Sequence, residues 1–165
     1  MTVEPMALRS VLRAHTSGVA VLTAMGGTGP AGVTITSFTS VSARPALVSF
    51  ALAETSSTWA LVQHCDWFGV QLLGADQAEL AERFAARGVD RFAPPTVWQS
   101  GPHGVPLLEG CLGWLVCARR QVMRVGDHHL VLAAVEYVRT GEPGAGLVHV
   151  HGRVRPVTAT TASRM

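Results

Sequence analysis

The sequence predicts a mainly β protein, an antiparallel β-barrel with a few short helices. About seven apolar or β-branched runs have the length of strands, and turns rich in Gly and Pro separate them. Only three segments have helical spacing, and they do not alternate with the strands in a repeating βαβ pattern. We therefore expect one domain over residues 1–157, followed by a disordered tail at residues 158–165.

Composition limits the partners and the location. Hydrophobic residues make up 48% of the 165 residues and charged residues only 15%, which favours a homodimer because a monomer would expose much apolar surface. The net charge of +2 is too small for a nucleic-acid-binding face. Cys65, Cys111 and Cys117 form no CxxC pair, and neither a signal peptide nor a membrane span is evident, so we predict a cytoplasmic protein.

The chain opens with a short amphipathic helix. Pro5 suits the first turn, Leu8 begins an apolar stripe, and Gly18 can terminate the helix, which we expect to pack over one end of the barrel. Val19–Met25 then has the pattern of a buried strand. Gly26–Pro30 follows as a turn, because its residues tolerate or impose special backbone angles.

Three glycines imitate a dinucleotide-binding motif. Gly27, Gly29 and Gly32 have GxGxxG spacing, and Glu54 lies where a ribose-binding acid would be expected. That motif needs a helix at its last glycine, but Val33–Thr36 is β-branched at every position. We predict a hairpin here, in which the glycines only turn the chain.

A line of hydroxyl groups follows this hairpin. The segment Gly32–Ser42 begins as an alternating strand and continues as hydroxyls interrupted only by Phe38 and Val41. This composition suits a loop that holds a polar ligand, although a Ser/Thr-rich turn is the alternative. Arg44–Pro45 marks a turn and Ala46–Leu52 the next strand.

A second group of hydroxyls precedes a helix. Thr55, Ser56 or Ser57 can cap a helix that carries Trp59. Free backbone N–H groups at such a helix start can bind an anion, and an ordinary N-cap is an equally good interpretation.

The second half of the chain is rich in strands. Trp67–Leu73 is an apolar strand, and Asp76–Glu79 has the form of a capping box for a helix that Gly88 ends. Asp90–Leu108 holds four prolines without clear periodicity, which predicts a long loop that covers a site as a lid. Two long strands within Cys111–Tyr137 meet at a tight Gly-Asp turn.

The chain ends with a further turn and strand. Gly141–Gly146 forms the turn, and Leu147–His151 is the last predicted strand. On it, His149 and His151 share one face, and His128 or His129 could complete a metal site. No carboxylate lies nearby and an H-x-H on an edge strand is usually incidental, so we predict no metal.

Chemical motifs narrow the function. The sequence has no GxSxG elbow, no HExxH and no Walker loop, which argues against hydrolysis. A hydroxyl-lined loop, a hydroxyl-capped helix, an Asp127–His128 turn and a lid would together suit a phosphorylated planar cofactor. A flavin fits these parts best.

An ordered series of motifs resembles the short-chain flavin reductase family. The resemblance extends from Leu8 to Pro156. The motifs that carry it are Gly32-x-Thr34-x-x-Ser37-Phe38-x-Ser40-Val41-Ser42-x-x-Pro45, Ser57-Thr58, Asp90-Arg91-Phe92, Trp98, Gly101, Pro106-Leu107, Gly110-Cys111 and Gly126-Asp127-His128.

This resemblance implies an FMN-binding split barrel of Greek-key topology that forms a homodimer. It also implies that the protein reduces FMN or FAD with NADH or NADPH, and that the reduced flavin passes to a partner monooxygenase. By the same resemblance, His128 would contact the nicotinamide dinucleotide as the catalytic group, and Asp127 would shape its turn. The implied flavin ligands are Thr36, Ser37, Phe38, Thr39 and Ala51 at the ring and ribityl chain, and Ser56, Ser57 and Thr58 at the phosphate.

One position departs from the family pattern. Val154 occupies a place that is usually aromatic and often borders the pyridine nucleotide, and His149 or Trp98 would have to supply a stacking surface instead. Two alternatives therefore stay open beside a reductase. They are a flavin-binding split barrel without NAD(P)H turnover and a metal-dependent barrel that uses the histidines; His128 could also be an ordinary turn histidine.

Overall fold

The computed structural model describes residues 3–158, which form three α-helices and twelve strands paired only antiparallel. The helices are α1 (Pro5–Leu12), α2 (Ser57–Val62) and α3 (Ala78–Ala85). The first six strands are β1 (Ser17–Gly18), β2 (Ala20–Gly26), β3 (Gly29–Ile35), β4 (Thr39–Ala43), β5 (Ala46–Ala53) and β6 (Trp67–Leu72). The others are β7 (Trp98–Ser100), β8 (Pro106–Leu108), β9 (Gly113–Val125), β10 (His128–Thr140), β11 (Leu147–Val150) and β12 (Arg153–Pro156).

Seven strands form the main sheet in the order β3-β2-β6-β9-β10-β5-β4. Its two edge strands, β3 and β4, are consecutive in the chain and are joined by Thr36–Phe38 alone. Four Cα–Cα steps of about 3.8 Å cannot span more than about 15 Å, so the two edges must come together at this link. The mainly β antiparallel fold is confirmed, and the curled sheet is consistent with a split barrel.

Two apolar clusters fill the molecule. The first lies inside the main sheet, where Phe50 and Phe68 meet edge-to-face with ring centroids 5.3 Å apart. The second lies on the other side of β2 and β6, where α3 contributes Phe84 and the β7–β8 hairpin contributes Leu107. The predicted Gly126–Asp127 turn is confirmed, and it lies at the tip of β9 and β10, whose residues next to the turn are exposed.

The Gly26–Pro30 hairpin is confirmed, because β2 and β3 pair from Ala20 opposite Ile35 to Gly26 opposite Gly29. The prediction that the glycines only turn the chain is wrong for Gly32. This residue lies inside β3, and a Cβ there would come within 2.7 Å of a ring carbon of Phe84 and 3.0 Å of the Leu22 carbonyl oxygen. Gly32 is therefore required by the close packing of β3 against α3.

The N-terminal helix is confirmed but its end and its packing are not. α1 stops at Leu12, six residues before the predicted terminator Gly18, and none of its residues is buried. Its contact with the rest of the chain includes the Arg13 carbonyl, which accepts a hydrogen bond from the backbone N–H of His151 at 2.8 Å. The apolar stripe is left on the surface instead of covering a barrel end.

Two predictions for the middle of the chain are corrected. The backbone N–H of Gly74 donates to Gln77 Oε1 at 3.0 Å, and a 3-10 turn at Ala75–Gln77 leads into α3, so Asp76 is not the helix cap. Part of the predicted lid, residues 98–108, forms the β7–β8 hairpin, in which Val105 is buried. Burial of these apolar side chains makes the hairpin part of the core.

The C-terminal strand prediction is also corrected. β11 ends at Val150, and His151 has a left-handed backbone with φ of 50° in the turn that leads to β12, a strand that the sequence pattern did not reveal. His149 and His151 therefore do not share a strand face. Of the predicted tail, residues 159–165 lie outside the described residues. Among residues 3–158, no helix has both the length and the apolar character that a membrane crossing requires.

We predict that Gly32→Ala destabilises the protein by about 1–3 kcal/mol, because the new methyl group must displace Phe84 or β3. Gly27→Ala is the matched control, since a Cβ at Gly27 meets nothing within 4 Å, and its effect should stay within about 0.5 kcal/mol. Urea unfolding of both variants measures the difference. Equal free energies of unfolding would contradict the close-packing role.

Candidate active site

Most of the predicted site residues lie on or next to the C-terminal half of β5. Ala51 lies beyond the end of β4, whose pairing with β5 stops at Thr39 opposite Ser49. The Ser37 hydroxyl replaces the missing strand, because it donates to the Ala51 carbonyl and accepts from the Ala51 N–H, both at 2.9 Å. Ser37 thus fastens the β3–β4 link to β5.

The predicted histidine turn is held by the same strand. His128 pairs with Ala53 across β10 and β5, and the Glu54 N–H donates to the Asp127 carbonyl at 2.9 Å. The Ser56 N–H then donates to the Ala53 carbonyl at 2.9 Å as the chain enters α2. The link, the turn and the helix start therefore meet along one short segment.

Asp127 orients His128. The His128 Nδ1 atom lies 2.6 Å from Asp127 Oδ1, and an ionised carboxylate can only accept, so Nδ1 donates. The hydrogen bond from His128, followed by its charge, lowers the pKa of the Asp127 carboxyl, and Arg9 adds a smaller contribution in the same direction. The His128 side chain is 47% exposed, so its ring remains accessible. The turn presents an imidazole of fixed orientation.

His129, the next residue, connects this turn to α2. Its ring stacks on Trp59 with centroids 4.2 Å apart and an angle of 17° between the planes. Trp59 is buried, so the contact packs the start of β10 against α2. The two loops that carry predicted ligands are therefore fixed relative to each other.

A small cleft lies at the start of α2. It has a volume of about 190 Å³, and Gly32, Ser57, Thr58 and the segment from Gly88 to Phe92 are among its walls. Ser56 caps the helix, since its Oγ accepts from the Trp59 N–H at 3.4 Å. Ser57 is exposed and its hydroxyl has no hydrogen-bond partner among residues 3–158. We call this the Ser57 cleft.

Arg91 is a wall of the Ser57 cleft that the site prediction missed. Its Nη1 donates to the Thr58 hydroxyl at 2.9 Å and to the Gly32 carbonyl at 2.6 Å, and its Nη2 donates to the Ala86 carbonyl at 2.6 Å. Burial lowers the pKa of this guanidinium. One Nη2–H has no acceptor among residues 3–158. The positively charged Arg91 side chain therefore has a free hydrogen-bond donor in the wall of the cleft. Its place in the Asp90-Arg91-Phe92 motif was the available signal.

The four predicted residues from Thr36 to Thr39 do not face one pocket. Thr36 lines a cleft of about 570 Å³ together with Ala81, Glu82, His149, Arg153 and Val154, which we call the Thr36 cleft. Phe38 instead packs against the first apolar cluster. Thr39, predicted to lie in a loop, is the first residue of β4, and its hydroxyl makes only a 3.5 Å contact with the Ser40 carbonyl.

His149 and Trp98, the two residues proposed to replace the aromatic residue missing at Val154, lie in different parts of the structure. His149 lines the Thr36 cleft next to Val154, so it is available as a flat surface there. Trp98 packs edge-to-face on Phe92 with centroids 5.6 Å apart, within the second apolar cluster. Only His149 is therefore in position for a ligand in the Thr36 cleft.

Cys111 and Cys117 are not suited to nucleophilic chemistry. Burial raises the pKa of Cys117 to about 12. Burial is also the main reason that the pKa of Cys111 is raised to about 11. Thiols of that kind are protonated at neutral pH and are weak nucleophiles. Among residues 3–158, no group of three His, Cys, Asp or Glu residues could hold a metal ion.

The sequence model of one protein family, the flavin reductase like domain, matches residues 12–158 of this chain. The chain belongs to this family.

Individual relatives agree with that assignment. The chain is 43% identical over 134 residues to an NADH:FMN oxidoreductase of Rhodococcus qingshengii, covering 81% of this chain and 70% of that protein. It is 32% identical over 134 residues to the reductase subunit of a flavin-dependent monooxygenase of Mycobacterium tuberculosis, covering 81% and 71% of the two chains. The NADH:FAD oxidoreductase of Streptomyces globisporus C-1027, solved with NAD and FAD fragments, superposes with a TM-score of 0.88 at 32% identity, covering 98% and 99%.

We predict that Ser37→Ala lowers the free energy of unfolding by about 1–2 kcal/mol, because the Ala51 N–H and carbonyl both lose their partner. Ser40→Ala is the control, since Ser40 is equally exposed and its hydroxyl makes no hydrogen bond among residues 3–158. Thermal and urea unfolding of the two variants measure the effect. A Ser37 variant as stable as the Ser40 variant would refute the fastening role.

Proposed function

We propose that the protein is an NAD(P)H:flavin oxidoreductase that reduces FMN or FAD. The observation that carries this proposal is the meeting of the Ser37 link, the Asp127–His128 turn and the start of α2 along the end of β5. A flavin, when bound, accepts the hydride that the pyridine nucleotide delivers, so the protein has to align two rings and needs no acid or base of its own.

The residues present fit the flavin phosphate at the Ser57 cleft. The Ser57 hydroxyl and one Nη2–H of Arg91 are donors without a protein partner among residues 3–158, and a phosphate is a strong acceptor. The Thr58 hydroxyl is occupied between Arg91 and Gly32, so we assign it to positioning Arg91. Ser56 caps α2 and keeps Ser57 at the mouth of the cleft.

The remaining predicted residues divide by role. Ser37 and Ala51 hold the link and β5 together beside the ring, and Thr36 offers its hydroxyl from the wall of the Thr36 cleft. We propose that Phe38 and Thr39 support this link from the core and from β4. His128, oriented by Asp127, would contact the nicotinamide end of the dinucleotide and position it.

Reduced flavin is proposed to leave for a partner monooxygenase. Support comes from the Mycobacterium tuberculosis relative, which is the reductase subunit of such an enzyme. Three free cysteines support a reducing cytoplasmic location.

A second copy of the chain is the proposed cover for α1. Leu8, Val11 and Leu12 form the apolar stripe of α1 and are 51%, 73% and 54% exposed, and a stripe of this kind is stabilised by an apolar partner. Sedimentation equilibrium should give twice the chain mass of 17.4 kDa. A Leu8→Gln, Val11→Gln variant should shift the protein toward monomer. A wild type that stays monomeric at about 50 μM, a concentration at which micromolar association would be visible, contradicts the proposal.

The activity test is direct. Purified protein with added FMN or FAD should oxidise NADH or NADPH well above the rate without enzyme. His128→Ala should lower kcat/KM for the nucleotide about ten-fold or more while flavin affinity stays unchanged, because a positioning contact is lost. A protein that binds flavin but leaves the nucleotides at the background rate is instead the flavin-binding barrel without turnover, the alternative that Val154 motivates.

The phosphate assignment has its own test. Riboflavin lacks the phosphate of FMN, so Ser57→Ala should weaken FMN binding about ten-fold or more and leave riboflavin binding unchanged, as expected for one lost hydrogen bond to a charged group. Thr55→Ala removes a neighbouring hydroxyl that does not line the cleft and is the matched control. Flavin fluorescence titration gives both affinities. Equal losses for FMN and riboflavin would rule out phosphate binding at Ser57.

A further inference from the structure

An arginine-rich cleft adjoins the proposed site. Arg9, Leu12 and Arg13 of the N-terminal segment line it together with His149 and Gly152, and its volume is about 390 Å³. His149 and Gly152 also line the Thr36 cleft, so the two clefts are continuous, and Arg153, next to Gly152 in the chain, lines the Thr36 cleft. We call the part around Arg9, Arg13 and Arg153 the arginine cleft.

The charges of the arginine cleft are not neutralised by the protein. None of its three guanidinium groups forms an ion pair or a side-chain hydrogen bond among residues 3–158. Other arginines do pair with carboxylates, namely Arg119 with Asp66, Arg120 with Glu136 and Arg124 with Glu54. Glu82 lines the Thr36 cleft and is a single opposing charge. Three unpaired cations along these continuous clefts favour a ligand with more than one negative charge.

The backbone is shaped for this convergence. A Cβ at Gly152 would lie 3.4 Å from Arg13 Nη2, so the guanidinium rests directly over the turn between β11 and β12. Gly152 has φ of 76°, a left-handed conformation in which glycine is unstrained, and Arg153 begins β12 immediately after it. The turn therefore places Arg13 and Arg153 on adjacent positions of the cleft.

The location identifies which ligand group could reach this cleft. Thr36 lines the Thr36 cleft and adjoins Ser37, which is hydrogen-bonded to Ala51 of β5. The same strand pairs with His128 through Ala53, so the two continuous clefts lie beside the strand that holds the histidine turn. The Ser57 cleft, proposed for the flavin phosphate, shares no lining residue with either of these two clefts. A second anionic group, carried by the molecule that contacts His128, would lie over the arginines.

We propose that Arg9, Arg13 and Arg153 form a subsite for the diphosphate of the pyridine dinucleotide. The proposal rests on the function proposed above and extends it by naming residues that determine nucleotide affinity. A diphosphate also occurs in FAD, but the flavin phosphate end is assigned to the Ser57 cleft, on other walls of the molecule. The His128 turn would hold the nicotinamide end and the arginine cleft the diphosphate.

The test uses Arg13→Gln, Arg153→Gln and the double variant, with Arg87→Gln as the control. Arg87 is an exposed arginine after α3 that lines none of these clefts, so it matches the change in charge. Each single cleft variant should raise KM for both NADH and NADPH about five- to ten-fold, the double variant more, with kcat within about two-fold, because a charge-assisted contact made equally in the ground and transition states is lost. FMN affinity and the Tm should match those of the Arg87 variant.

A binding measurement separates this inference from the activity itself. ADP-ribose carries the diphosphate without the nicotinamide, and its affinity for the FMN-loaded protein, measured by calorimetry, should fall in the cleft variants and become less dependent on salt. This readout needs no turnover, so a wild type that binds ADP-ribose but oxidises no NADH would defeat only the proposed function. Unchanged ADP-ribose affinity in the double variant would overturn the subsite. An effect confined to NADPH, or to FAD relative to FMN, would overturn it too, since the 2′-phosphate or the flavin diphosphate would then occupy the cleft.

Discussion

The central constraint on this molecule is the short link between the two edges of its main sheet. Strands β3 and β4 lie at opposite ends of a seven-stranded order, yet only Thr36–Phe38 connects them. The sheet must curl until its edges meet, and the meeting is fixed by the Ser37 hydroxyl against the Ala51 backbone. A polar side chain thus completes a ladder where a strand has ended, and the loop proposed to face the ligand also joins the two edges of the sheet.

Curling of the sheet brings several polar loops together at the end of β5. The end of β5 contacts the link, the Asp127–His128 turn and the start of α2 within a few residues. The Trp59–His129 stack fixes α2 against β10, and the Thr58–Gly32 hydrogen bond fixes it against β3. Rigid placement of this kind matches a reaction in which the protein mainly aligns two partners.

Positive charge is distributed on two sides of this region. Arg91 is half-buried in the Ser57 cleft, where carbonyl oxygens and a hydroxyl hold it. The arginines near His149 are exposed and have no protein partner within residues 3–158. The first arrangement is the proposed site of one phosphate, and the second is the proposed site of a larger anion. The two environments correspond to the two different ligands of the proposed reaction.

Local patterns in the sequence determined the parts whose physics is local. The Gly26–Pro30 hairpin, the Gly126–Asp127 turn and the Ser56 cap were predictable, because turn residues and hydroxyl caps act within a few positions. The ordered motifs also indicated the family. Tertiary structure alone decided that Gly32 is a contact with Phe84, that residues 98–108 enter the core, and that α1 stays exposed. It alone brought Arg91 to Thr58 and Arg13 over Gly152, since these contacts join residues distant in the chain and depend on packing that no local spacing records.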